Sequence, residues 1–131
     1  MSQQIGVLDK SFLAGEDLSS YQYYAVYVSA DNTVKVCTTA HLDAIGILQN
    51  NPDTIGLAAV VRLLGTTKVK VGEAITAGKR VYVATDGMVE EEDTIAQTEV
   101  RMIGVMLADA GDDGDIAEMF LSHESFTKGA S

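Results

Sequence analysis

Apolar residues recur along this chain at every second position or in short unbroken runs, and Gly, Asn and Asp separate them. A period of two is the signature of a strand with one buried face, whereas a helix would repeat near 3.6. The pattern predicts strands over 23–29, 33–38, 44–49, 57–64, 67–71, 80–84, 100–108 and 115–121. Between them lie residues suited to tight turns: Ala30-Asp31-Asn32, Asn50-Asn51-Pro52-Asp53, Asp86-Gly87 and Gly111-Asp112-Asp113-Gly114. Residues 57–64 could form a helix on hydrophobicity alone, but their length and the flanking Gly56 and Gly65 favour a strand. Residues 90–97 read as loop or a single helical turn. The expected fold is all-β, a single small barrel or sandwich-like domain of short strands.

Two of these strands share a pattern. Ala44-Ile45-Gly46-Ile47-Leu48 and Met102-Ile103-Gly104-Val105-Met106 each place glycine between apolar pairs, and each precedes a polar turn and another apolar strand. Glycine inside a strand costs stability unless it permits a bend, a bulge or a close backbone approach. Two equivalent glycines therefore suggest two equivalent bends in a closed sheet. Residues 100–108 are apolar on both faces, which either a barrel wall or a neighbouring subunit could cover.

Before the first predicted strand, Ile5, Val7, Leu8 and Phe12 are apolar without sustained alternation. Residues 1–12 are read as a flexible arm, 13–121 as the β-rich domain and 122–131 as a flexible polar tail. An apolar arm that stays unpaired needs a partner surface. Tyr21, Tyr23 and Tyr24 join it as candidate contacts, since tyrosine presents a large apolar face with a polar tip. The same residues suit a half-buried strand equally well.

Length fits one domain, as 131 residues leave little room for two independent cores. No apolar run reaches the roughly 18 residues of a membrane span. Met1-Ser2-Gln3-Gln4 lacks the pattern of a secretory signal, and a single cysteine, Cys37, makes no internal disulfide. Synthesis in a cytoplasm is the expectation. Charge is unevenly divided. Residues 1–85 balance seven acids with seven bases, while residues 86–118 set eleven acids against Arg101 alone, which equals the −10 of the whole chain. Nucleic-acid binding needs Lys and Arg to displace counterions, so none is expected. The acidic segment fits a solvated surface that keeps copies apart.

Candidate chemistry is sparse. Cys37, His41 and Asp43 lie close in sequence, but a zinc site needs more convergent ligands and His123 is the only other imidazole. Asp109 to Asp115 resembles a calcium loop until position three proves to be Gly111 and position twelve Phe120, where a bidentate Glu is required. The wrap from Gly72-Glu73-Ala74 to Gly78 resembles biotinyl and lipoyl carrier domains, yet the following hairpin, Ala84 to Val89, has no lysine to modify. No phosphate loop or nucleophile elbow is present. Neither an enzyme nor a cofactor is expected.

Taken together, several segments resemble small tailed-phage and prophage capsid decoration, or cement, proteins, functionally akin to the head-decoration protein of phage lambda. They are Ala14-Gly15-Glu16-Asp17-Leu18 with Tyr23-Tyr24-Ala25-Val26, Asp43 to Pro52, Val61-Arg62-Leu63-Leu64-Gly65, the Gly72–Gly78 wrap, and Ile103-Gly104-Val105 with Gly114-Asp115-Ile116. The resemblance spans roughly residues 12 to 121 and rests on order and spacing. It implies an all-β fold, homotrimers, the major capsid protein as partner, and docking at three-fold positions on the outer surface of a mature head. It implies no catalytic residue, no membrane and synthesis in a bacterial host. Glu90-Glu91-Glu92-Asp93 and residues 122–131 extend the pattern. Another virion role, such as the base of a fibre, is the alternative.

Overall fold

Short apolar runs bounded by turn residues build nine strands in the computed structural model, which describes residues 8–38, 44–91 and 99–127, with backbone alone for 99–101 and 123–127. They are β1 (Leu8–Ala14), β2 (Ala25–Ala30), β3 (Thr33–Val36), β4 (Ala44–Leu48), β5 (Ala58–Lys70), β6 (Arg80–Val83), β7 (Val89–Glu91), β8 (Glu99–Met106) and β9 (Ile116–Thr127). All regular structure among the described residues is strand, as the alternation predicts.

The strand order is β1-β3-β2-β4-β5-β9-β8-β6-β7, and β1 also pairs with β5. That extra pairing closes the first five strands into a small barrel. Leu8 faces Leu64 and Leu13 faces Ala58 across the antiparallel seam, while β1 meets β3 in parallel. At Gly65 the long strand changes partner, pairing with β1 up to Leu64 and with β9 from Gly65 onward. Gly65 has a φ of 111°, so a bend there carries one strand through two barrels. Residues 57–64 and 67–71, expected as two strands, are therefore one.

From Gly65 onward the order repeats. The second half of β5 stands for β1, β6 for β2, β7 for β3, β8 for β4 and β9 for β5, with the same parallel or antiparallel sense at each pairing. A single parallel bridge, Val71 to Val89, returns β7 to β5. Details repeat as well. The Gly15 N–H bonds to the Val34 carbonyl at 2.8 Å and the Gly72 N–H to that of Val89 at 2.9 Å. The Glu16 carboxylate accepts the Val36 N–H, and the Glu73 carboxylate accepts the Glu91 N–H. Ladder shifts fall at Val26/Tyr27 opposite Gly46 and at Val81/Tyr82 opposite Gly104. The two glycines singled out in the sequence hold equivalent places at equivalent bends.

Two apolar cores follow from two barrels. Phe12, Leu18, Val26, Val34, Leu48 and Val61 fill the first. Val69, Val71, Val81, Ile103, Met119 and Leu121 fill the second, together with Ala25, Cys37 and Ile47 from the first half. The two cores are small because each takes only half of the chain, and Ile47 and Ala25 bind them into one body.

The ends differ from the expectation. Residues 8–12, read as part of a flexible arm, belong to β1, and Phe12 is a core residue. Asp9, Lys10 and Ser11 point to solvent, which hid the strand from a search for alternation. Residues 122–127, read as tail, continue β9 in a ribbon with β8. Ile5 and Val7 lie outside the described residues, as do 128–131. The acidic 90–97 segment, read as loop or helical turn, contributes Glu90 and Glu91 to β7, and 92–98 lie outside the described residues. Met102 and Ile103, on the two faces of β8, are both buried within this chain.

Candidate functional site

Tyr21, Tyr23 and Tyr24 come together where the two barrels join. Residues Tyr23 to Ala25 form a wedge: the Lys70 N–H donates to the Tyr23 carbonyl at 3.0 Å, and the Ala25 N–H donates to the Gly87 carbonyl at 2.9 Å. First-barrel backbone thereby enters the seam between β5 and the β6–β7 turn. Tyr23 has a φ of 72°, a left-handed conformation costly for a residue with a Cβ. Gly78, its counterpart in the second half, has a φ of 93°. Tyr24 stacks edge-on against Tyr21 with ring centroids 5.0 Å apart. Burial raises the Tyr24 hydroxyl above its ordinary pKa, and the second-half carboxylates Asp86 and Asp113 add to the shift.

Beside this wedge is a cleft of about 770 Å³ lined by Tyr23, Gln49, Arg62, Thr66, Lys68 and Glu118 among others. Several of its polar groups are engaged. Arg62 bonds both Asp9 oxygens, at 2.8 and 3.0 Å, and the Thr66 carbonyl at 2.9 Å. Those bonds to Asp9 hold the guanidinium pKa above its usual value. Lys68 lies over the Tyr23 ring at 5.9 Å, and Gln49 bonds Thr67 and the Ile47 carbonyl. The cleft is a seam that fastens two barrels.

Exposed apolar side chains lie elsewhere. Leu13, Ile55 and Leu57 cluster at one end of the first barrel, where Ile55 is 70% exposed. A groove of about 340 Å³ runs beside them, lined by Leu13, Ala30, Thr33, Lys35 and Ile55. Leu107, Ile116 and Phe120 are exposed on the outside of the second barrel. Of the sequence candidates, Leu8 is exposed opposite Leu64, Phe12 is buried, and the three tyrosines are half-buried in the junction. Ile55 went unnoticed, because an isolated apolar residue in a turn carries no periodic signal, while Leu13 and Leu57 open the expected domain and the expected 57–64 strand and gave no sign of exposure.

The titratable groups serve the fold. Cys37 is buried in the second core, and His41 and Asp43 lie outside the described residues. Asp109, Asp112 and Asp115 accept backbone N–H groups of their own turns and of Ala77, as tight Asp-Gly turns do. No group of three or more His, Cys, Asp or Glu among the described residues could hold a metal. Glu90 accepts the Tyr82 hydroxyl at 3.0 Å, but burial raises its pKa, and Glu73, Asp86 and Asp113 add to the rise. A carboxyl that binds its proton more tightly when folded stabilises most below pH 4.5 and loses that contribution as pH rises through its folded value. Glu90→Gln should therefore raise the melting temperature at pH 7, by about 2 °C or less, with no gain at pH 4. A melting series across that range checks it; a gain confined to acid would contradict the assignment.

No family model matches this chain, and no curated protein is similar to it. A solved structure is. The N base of head fiber gp8.5 in bacteriophage phi29 shares the fold with a TM-score of 0.63, over 92% of this chain and 98% of that one, at 16% identity. At that identity the likeness is one of fold, and it includes both barrels.

Proposed function

We propose that this chain is a non-enzymatic structural protein of a tailed-phage virion, made in the host bacterial cytoplasm, that binds the outer surface of the head as a homotrimer. The supporting observation is the shared fold across nearly the whole of a phage head-fiber base, on a chain whose segments resemble capsid cement proteins. Its partners are the major capsid protein and its own copies. A protein that binds the mature lattice more tightly than any other state stabilises it by mass action. Trimeric presentation multiplies modest contacts through effective concentration.

Orientation follows from charge. Asp86, Asp109, Asp112, Asp113, Asp115 and Glu118 are exposed on the second barrel. Burying such a group of carboxylates against a shell without matching bases would cost more than a small interface returns. The first barrel carries the smaller share of the charge, with six acids against three bases over residues 1–64, and it faces the shell. A second reading, the base of a head fibre, is favoured by the same structural neighbour. Adding purified protein to heads that lack it separates the two. A cement protein decorates every equivalent lattice position and delays thermal rupture of the head. A fibre base occupies few positions without changing rupture. Absence of binding to heads from its own phage would contradict both.

A further inference from the structure

The internal repeat places on the first barrel the counterparts of the residues that receive a wedge on the second, with one difference: Leu13 N–H and the Asn32 carbonyl bond each other, where Lys70 N–H and the Gly87 carbonyl bond the wedge. In the first barrel, Tyr21 to Ala25 form the wedge that reaches Lys70, Asp86, Gly87 and Asp113 of the second. Each of these residues has a counterpart. Leu13 stands where Lys70 does, immediately before Ala14 and Val71, whose N–H groups bond the Leu57 and Asp115 carbonyls. Asp31-Asn32 matches Asp86-Gly87, with positive φ at Asn32 and at Gly87. Ile55 precedes Gly56 as Asp113 precedes Gly114, both glycines having positive φ. The receiving site of the second barrel thus has an equivalent on the first, and it is the apolar groove at Leu13, Ala30 and Ile55.

The wedge has a counterpart too. Tyr24 N–H bonds the Tyr21 carbonyl as Lys79 N–H bonds that of Thr76, and Leu48 and Met106 bond the carbonyls of Tyr24 and Lys79 alike. The loop Thr76–Arg80 is therefore the second barrel's wedge, exposed at Thr76, Ala77, Gly78 and Arg80. An interface that joins unlike surfaces leaves one surface of each kind unused at the two ends of the pair. We infer that copies of this chain associate head to tail, the Thr76–Arg80 loop of one lying in the Leu13–Ile55 groove of the next. Lys79 of the loop takes the place of Tyr24, and Asp31 that of Asp86. Copies meeting end to end in this way also keep their acidic barrels off one another. Leu13 N–H bonds the Asn32 carbonyl at 2.8 Å, so this seam is closed and the loop lies along it without entering. Closure of the chain of contacts gives a ring, and three copies would make six barrels around it.

This geometry rests on the self-association proposed above, but it is measured in solution without heads, so its failure leaves head binding to be judged separately. The wild-type chain of 13.9 kDa should sediment as an oligomer at about 100 µM. Ile55→Asp, which installs the second barrel's own residue, and Ala77→Glu should each keep the wild-type melting curve and weaken association tenfold or more. Mixed one to one, the two variants should recover a heterodimer, because each retains one intact surface. In parallel, Ile55→Cys and Ala77→Cys proteins should form a mixed disulfide dimer in preference to either like pair, Cys37 being buried. A monomeric wild type, unchanged association in either folded variant, or mixtures without heterodimer and mixed disulfide would each overturn the inference.

Discussion

Alanine at Gly46 or Gly104 is expected to unfold much of the protein's margin of stability. A Cβ built on Gly46 would lie 2.1 Å from the Arg62 carbonyl oxygen and 2.9 Å from a Val61 methyl. On Gly104 it would lie 2.2 Å from the Phe120 carbonyl oxygen and 3.0 Å from Met119. Neither carbonyl is the end of a flexible side chain; both belong to strands inside a closed sheet, so relief requires the barrel wall to move. Overpacking in a core typically costs 1–3 kcal/mol, and with backbone as the obstacle about 3 kcal/mol or more is expected, roughly 10 °C in melting temperature. Gly111→Ala, whose added Cβ meets only an Asp115 oxygen at 3.4 Å, is the control and should melt within about 1 °C of wild type. Melting of Gly46→Ala or Gly104→Ala at the wild-type temperature would mean that the two bends are not the close approaches described.

Removal of residues 2–11 should be as damaging. Leu8 to Ser11 pair with Leu64 to Val60 of β5, and Asp9 holds Arg62 with two hydrogen bonds. Without them the first barrel loses four of the six pairs that close its β1–β5 seam, and the edge of β5 from Val60 to Leu64 stands open to aggregation. A fall of about 10 °C or more, or loss of soluble protein, is the expected outcome. A truncated chain that melts as wild type and keeps its oligomeric state would show instead that the segment is a docking arm.

The sequence reading and the structure part company at identifiable residues. Strands with one buried face and glycine or Asn-Asp turns were legible, and so was the Gly46–Gly104 equivalence, because an apolar-flanked glycine is unusual enough to notice twice. The wider repeat was not. Gly15-Glu16 and Gly72-Glu73 hold the same bonds, yet two short dipeptides carry no periodic signal. β1 was lost because four of its first five residues are exposed, and its place is fixed by long-range pairing that no local pattern reports. β7 is three residues long and carries two glutamates. The tyrosines suited a subunit contact and a half-buried strand equally; within the chain, Tyr23 and Tyr24 meet the second half, at Lys70, Asp86 and Asp113. Gly78 shows why: where the second barrel bends with a glycine, the first bends with Tyr23 and uses its ring to line the seam.

The central claim, residence on the phage head, is most directly tested by quantitative mass spectrometry of purified virions before and after mild protease treatment of intact particles. A head-surface protein should be present in many copies per particle and should lose peptides to the protease while the shell stays whole. Absence from purified virions, with the protein confined to the lysate, would contradict the account.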